Sequence, residues 1–77
     1  MFKDLKNKKI IITGGQGFVG QQFSAAFEKI GSKVIIIDTK IKKSKYDCYK
    51  CDITNENQMK VISKKILKKY KKIDVLI

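Results

Sequence analysis

Histidine, proline, tryptophan and arginine are all absent from this 77-residue sequence. Without histidine, imidazole acid–base chemistry and histidine-ligated metal sites are excluded from it. Without arginine, all eighteen basic residues are lysines, and the formal net charge is +11. Such a balance suits nucleic acid, an anionic membrane or an acidic partner. Base-edge readout and phosphate clamping favour the forked guanidinium, however, and no aromatic residues are interleaved with the lysines as single-strand binding needs. The lysines therefore read mainly as a solvated face, and lysine with isoleucine as a coding bias toward A+T-rich codons. Long apolar runs are missing as well. Nothing approaches the roughly 18 to 20 apolar residues of a membrane span, and no apolar segment follows the basic N-terminus as in a signal peptide. No membrane partner is expected, and the expected location is the cytoplasm.

Cysteine is scarce: Cys48 and Cys51 form one Cys-x-x-Cys pair, a spacing that elsewhere suggests zinc or redox exchange. Residues three apart on a strand point to opposite faces, and no second pair completes a four-ligand site. The pair is expected to serve packing, with no metal bound.

What is present is a strand-to-helix turn rich in glycine. Ile10, Ile11 and Ile12 form a β-branched run suited to a buried parallel strand, and Phe18, Phe23, Phe27 and Ile30 recur at helical spacing beyond the glycines. Between them lies Thr13-Gly14-Gly15-Gln16-Gly17-Phe18-Val19-Gly20. Gly14 and Gly15 are free to adopt positive φ, Gly17 lets backbone approach a phosphate, and Gly20 lets the helix pack close to a sheet. The unpaired N–H groups of the helix N-terminus then face an anion, whose attraction to the helix dipole is worth roughly 0.3 to 1 kcal/mol. Gln16 is placed to donate to a phosphate oxygen, although an exposed turn residue explains it equally well. Thr13 carries a hydroxyl able to tie the turn to a neighbouring strand.

The rest of the chain alternates in the same style, with no repeat or low-complexity linker. The expected elements are a strand over residues 9–13, a helix from Gly17 to about Ile30 closed by a left-handed Gly31, and a strand over 33–38. A short strand over 46–51 follows, then a helix capped by Thr54 or Asn55 and running to about Lys71. Met59, Ile62, Ile66 and Tyr70 make its apolar stripe, with lysines opposite. Residues 73–77 form a fourth strand, which stops with no turn signal after it. Right-handed crossovers in this alternation give an α/β fold with an open parallel sheet and helices on both faces. A buried edge needs further neighbours, so residues 1–77 are expected to be the N-terminal part of one larger domain.

Asp38 lies 18 residues beyond Gly20 and 21 beyond Gly17, close to the interval of about 20 at which a dinucleotide fold carries an acid for the adenosine ribose. Hydrogen bonds to a charged group contribute roughly 1.5 to 3 kcal/mol each. A 2′-phosphate at about 4 Å would instead be repelled by about 4 kcal/mol per charge pair at an effective dielectric near 20. The expected cofactor is NAD rather than NADP, although Lys40, Lys42 and Lys43 lie just beyond and are long enough to reach a 2′-phosphate.

The glycine turn, Asp38, the Cys51-Asp52-Ile53-Thr54 step and Lys72-Ile73-Asp74-Val75-Leu76-Ile77 occur in the order and spacing of the short-chain dehydrogenase/reductase family, which the chain resembles over almost its whole length. The resemblance implies a Rossmann-type fold. It also implies that Gly14, Gln16, Gly17, Phe18, Val19 and Gly20 hold the pyrophosphate, that Asp38 holds the ribose, and that Asp52 and Ile53 hold the adenine edge. The alternative for Asp52 is a helix N-terminal acid stabilised by the dipole. The turn spacing resembles that of the extended group of sugar-nucleotide epimerases and dehydratases. The 22-residue interval from Asp52 to Asp74 and the Ile-Asp-Val-Leu-Ile strand resemble the classical dehydrogenases instead. The family's catalytic Ser, Tyr and Lys come further downstream, so no catalytic residue is assigned within 1–77. Tyr46 and Lys50 match the Tyr-x-x-x-Lys spacing, but between strands two and three they would sit near the adenosine half.

Three functions follow. The first is the cofactor-binding half of an NAD-dependent oxidoreductase, homo-oligomeric when complete, that moves hydride to or from a carbonyl or alcohol carbon of a small molecule. The second is an NAD-dependent sugar-nucleotide epimerase or dehydratase, and the third a basic nucleic-acid-binding module.

Overall fold

A computed structural model of the chain describes residues 6–14, 17–40 and 44–77. Six elements follow one another: β1 (Lys9–Thr13), α1 (Phe18–Ile30), β2 (Lys33–Asp38), β3 (Asp47–Lys50), α2 (Glu56–Tyr70) and β4 (Val75–Leu76). The strands form one sheet in the order β3-β2-β1-β4, and every pairing is parallel. β3 is shorter than the expected 46–51, and β4 is only two residues of the expected 73–77. β1 and β2 are long because each has a partner on both sides, whereas β3 and β4 have one each among the described residues.

Side-chain parity divides the core. Ile11, Ile35 and Ile37 pack with Cys51, Ile62 and Ile66, which is the face covered by α2. Ile10, Ile12, Val34 and Ile36 form a second cluster with Phe27, Tyr46 and Cys48 against it, which is the face of α1. Each fully buried isoleucine contributes roughly 1.5 to 3 kcal/mol of transfer free energy. The two cysteines sit in different clusters, on opposite faces, and both are free thiols.

Both helix ends follow from local chemistry. Gly31 closes α1 at φ 98°; its N–H reaches Glu28 O at 2.9 Å, and Ser32 N–H reaches Phe27 O at 3.0 Å, bonds that satisfy the last carbonyls. Of the two expected caps of α2, Asn55 is the one used: its Oδ1 accepts from Gln58 N–H at 3.1 Å. Ile62 and Ile66 are the buried residues of α2, and Met59 and Tyr70 pack beside them as the stripe predicts. The apolar stripe of α1 differs from expectation. Phe23 is 45% exposed and stacks on Phe27 with centroids 6.5 Å apart. Small residues bring this helix against the sheet instead: Gly20 and Ser24 are buried, and Ser24 Oγ donates to Gly20 O at 2.8 Å. The side chain of Phe18 lies outside the described residues.

Two carboxylates anchor the amino end of the sheet. Asp74 Oδ2 accepts from Lys9 N–H at 2.8 Å, and Asp74 N–H donates to Lys9 O at 2.9 Å, which ties the approach to β4 onto β1. The Lys9 N–H above all, and then the Lys72 and Lys8 ammoniums, hold its carboxyl below the usual range. Asp47 Oδ2 accepts from Tyr49 OH at 3.1 Å, from Lys69 Nζ at 3.0 Å and from Tyr70 OH. Burial alone would raise this carboxyl, but the three donors outweigh it and hold it low. Among the described residues, no helix is long and apolar enough to cross a membrane.

Truncating Ile66, which is 1% exposed, to alanine is expected to cost about 2 to 5 kcal/mol in urea unfolding, whereas Lys65→Ala on the solvent side of α2 stays within about 0.5 kcal/mol. Asp47 and Asp74 both titrate lower when folded than when unfolded. Their contribution is therefore complete above the unfolded carboxylate value of about 4 and is lost as pH falls through the folded values. The urea midpoint should hold from neutral pH down to that range and then drop. The Asp47→Asn/Asp74→Asn double variant should show a shallower drop; an unchanged slope would contradict it.

Candidate dinucleotide-binding site

The site is built where β1 and β2 end together, with Thr13 opposite Ile37 in the ladder. The backbone of Gly14 turns at φ 66°, a left-handed conformation that costs other L-residues roughly 1 to 2 kcal/mol. Its N–H is held by Ile37 O at 2.8 Å. Gly17 has a different reason to be glycine. It sits in extended backbone, φ −74° and ψ 172°, which any residue adopts, and an added Cβ would meet only Gly14 O at an ordinary 3.5 Å. Neither the backbone nor the described neighbours require glycine there, and the space beside it stays open.

Gly17 is also the N-cap of α1 and contributes no side-chain cap, and the first turn carries no acid. The contrast with α2 is marked, since Asn55 caps that helix and Glu56 stands in its first turn. The N-terminus of α1 thus keeps its partial positive charge for an external anion. Val19 is exposed and Gly20 buried in this first turn. Gln16 and Gly15 lie outside the described residues, as do Lys42 and Lys43.

Asp38 ends β2. Its Oδ1 accepts from Lys40 N–H at 3.2 Å and lies 3.5 Å from Thr39 Oγ1, a local turn that holds the carboxylate at the carboxyl end of the sheet. Its backbone carbonyl accepts from Cys51 N–H at 2.9 Å, which joins the exit of β3 to β2. A cavity of about 190 Å³ results, lined by Gly14, Ile37, Asp38, Thr39, Cys51 and Ile53. Three residues singled out from the sequence therefore share one wall: Gly14, Asp38 and Ile53. Thr39 and Cys51 were not anticipated, although each adjoins a strand terminus that was.

Asp52 follows Cys51 into the turn before α2. Its Oδ1 accepts from Thr54 N–H at 2.9 Å and Thr54 Oγ1 at 2.6 Å, and the Thr54 hydroxyl first, then the Thr54 N–H, lower its carboxyl. Its own N–H is taken by Gln58 Oε1 at 2.8 Å. These bonds organise the entry to α2. Thr13 ties the turn to the far strand as expected, since its N–H and Oγ1 both donate to Ile77 O, at 2.9 and 2.8 Å. Tyr46 packs against the cluster on the α1 face, with Lys45 Nζ 5.6 Å from its ring, while Lys50 is exposed at the other end of β3.

The model of the NAD dependent epimerase/dehydratase family matches residues 10–77. Among curated proteins, short-chain dehydrogenase reductase 3c of Arabidopsis thaliana is 35% identical over 82 residues, a match that covers 94% of this chain and 32% of the relative. Among solved structures, the ligand-free aldohexose dehydrogenase of Thermoplasma acidophilum superposes with a TM-score of 0.90 at 38% identity, over 99% of this chain and 30% of that one. A short chain dehydrogenase from Leptospira borgpetersenii with bound NAD+ gives a TM-score of 0.85 at 26% identity, over 99% and 32%. The chain thus spans about a third of the length of the relatives it matches. Cofactor turn, strand order and relatives agree: the chain belongs to the NAD dependent epimerase/dehydratase family and is a Rossmann-type segment of the short-chain dehydrogenase/reductase kind.

Proposed function

We propose that residues 1–77 form the N-terminal part of one NAD(P)-binding domain that takes NAD, and that the whole protein is an NAD-dependent oxidoreductase acting on a carbonyl or alcohol carbon of a small molecule. The observation that carries this is that Gly14, Asp38 and Ile53 line one cavity at the carboxyl end of a parallel sheet, the place where open α/β sheets bind nucleotides. The residues fit the cofactor by chemistry as well as by place. Gly14, Gln16, Gly17, Phe18, Val19 and Gly20 hold the pyrophosphate, Gly17 by leaving its Cβ space open. Asp38 accepts from the ribose hydroxyls. Ile53 packs on the adenine, with Asp52 beside it shaping the turn. The bound cofactor supplies a hydride acceptor or donor, and the proton-transfer residues come from outside this segment.

The solved relatives named as dehydrogenases favour this reading over a sugar-nucleotide epimerase or dehydratase, which would use the same turn. A cytoplasmic, homo-oligomeric protein fits it.

Titration of the intact protein is expected to give tighter binding of NAD than of NADP, and the reverse order would defeat the proposal. Asp38→Ala should narrow that difference, because it removes both the ribose acceptors and the repulsion of a 2′-phosphate. Gly17→Ala separates folding from binding: the thermal midpoint should stay near that of the parent while NAD affinity falls at least tenfold, a loss of about 1.4 kcal/mol or more.

A further inference from the structure

β3 is an edge strand of four residues, held among the described residues by β2 alone. Its register decides where the chain goes next, because Cys51 and Ile53 follow it directly into the cavity wall. Apolar patterning specifies that register weakly: Tyr46, Cys48 and Tyr49 are each only partly buried, and a slip of one residue would exchange the two faces. The specific contact is polar. Three donors converge on Asp47 Oδ2: Tyr49 OH from the strand itself, and Lys69 Nζ and Tyr70 OH from the last turn of α2.

We propose that Asp47 is a positioning residue for the nucleotide site: by gathering Tyr49, Lys69 and Tyr70 on one carboxylate oxygen it locks the register of β3 on β2, and so holds Cys51 and Ile53 at the cavity wall. Asp47 is not among the residues that line the cavity. A slipped strand would carry the carboxylate, with Tyr49 beside it, away from α2 and leave the Tyr70 phenol and the Lys69 ammonium without their acceptor, so the native pairing, Ile35 opposite Asp47 through Asp38 opposite Lys50, is selected over its neighbours. A single polar group that fixes register at little gain in stability has precedent in helical assemblies. The effect on the cofactor rests on the NAD reading above.

The test compares Asp47→Val, β-branched and close in volume, with Tyr70→Phe and Asp47→Asn. Asp47→Val is expected to stay folded, with the amide ¹H–¹⁵N resonances of residues 50–53 displaced or doubled and those of α1 unmoved. Its NAD dissociation constant should rise about tenfold, the order of coupling through a packed network. Tyr70→Phe should move the same resonances less, and Asp47→Asn, which keeps an acceptor oxygen, should restore them. Asp47→Val with parental resonances at 50–53 and parental NAD affinity would overturn the proposal, and if Asp47→Val does not fold, Tyr70→Phe with parental resonances and affinity does so. A parent that fails to bind NAD would defeat the cofactor reading alone, while the amide spectra still decide the register lock.

Discussion

The whole structure hangs on the alignment of β1 with β2, two runs of nearly identical aliphatic residues. Ile10 to Ile12 and Val34 to Ile37 are buried on both faces, so a slide by one residue would bury just as much hydrocarbon. Hydrophobic burial makes these strands stable without telling them where to stop. Polar groups at the strand ends supply the missing information. Lys33 N–H donates to Lys8 O at 2.8 Å at one end of the ladder, and Gly14 N–H donates to Ile37 O at the other. Asp74 fixes the first residue of β1, and Thr13 its last. The ionisable and turn residues are few, and they hold this sheet in register.

The two ends of the sheet are used differently. At the amino end, Asp47 and Asp74 are engaged by several donors each and serve the fold. At the carboxyl end, Gly17 leaves a side-chain volume empty, α1 starts without a side-chain cap, and Asp38 faces a cavity. Of the lysines, Lys8, Lys69 and Lys72 take part at the amino end by pairing with Asp47 and Asp74.

Long, strongly patterned elements were legible from residues alone. The isoleucine runs, Gly31 as a left-handed stop and the Met59-to-Tyr70 stripe each carry their meaning in local spacing, and each stands where local chemistry puts it. The misreadings share a cause, which is that the deciding partner is distant in sequence. Phe23 belongs to the apolar stripe of α1 yet lies exposed, because contact with the sheet rewards closeness, which Gly20 gives as expected and Ser24 adds to. β4 was read as five residues because all are strand formers, yet only two have a ladder partner. The wall contributed by Thr39 and Cys51 had no local signal, for it exists only once β3 pairs with β2.

The hydrogen bonds from Thr13 to Ile77 O have a consequence in time. They join residues 64 positions apart, so the phosphate turn cannot be braced on its β4 side when it first leaves the ribosome. At about 5 to 20 residues per second, roughly 3 to 13 s separate the synthesis of Thr13 from that of Ile77. Throughout that interval β1 lacks the neighbour and the brace on its β4 side, and that edge remains open to any other strand. The residue that braces the cofactor turn on this side thus arrives long after the turn itself, and a nascent chain paused between them carries an open edge of β1.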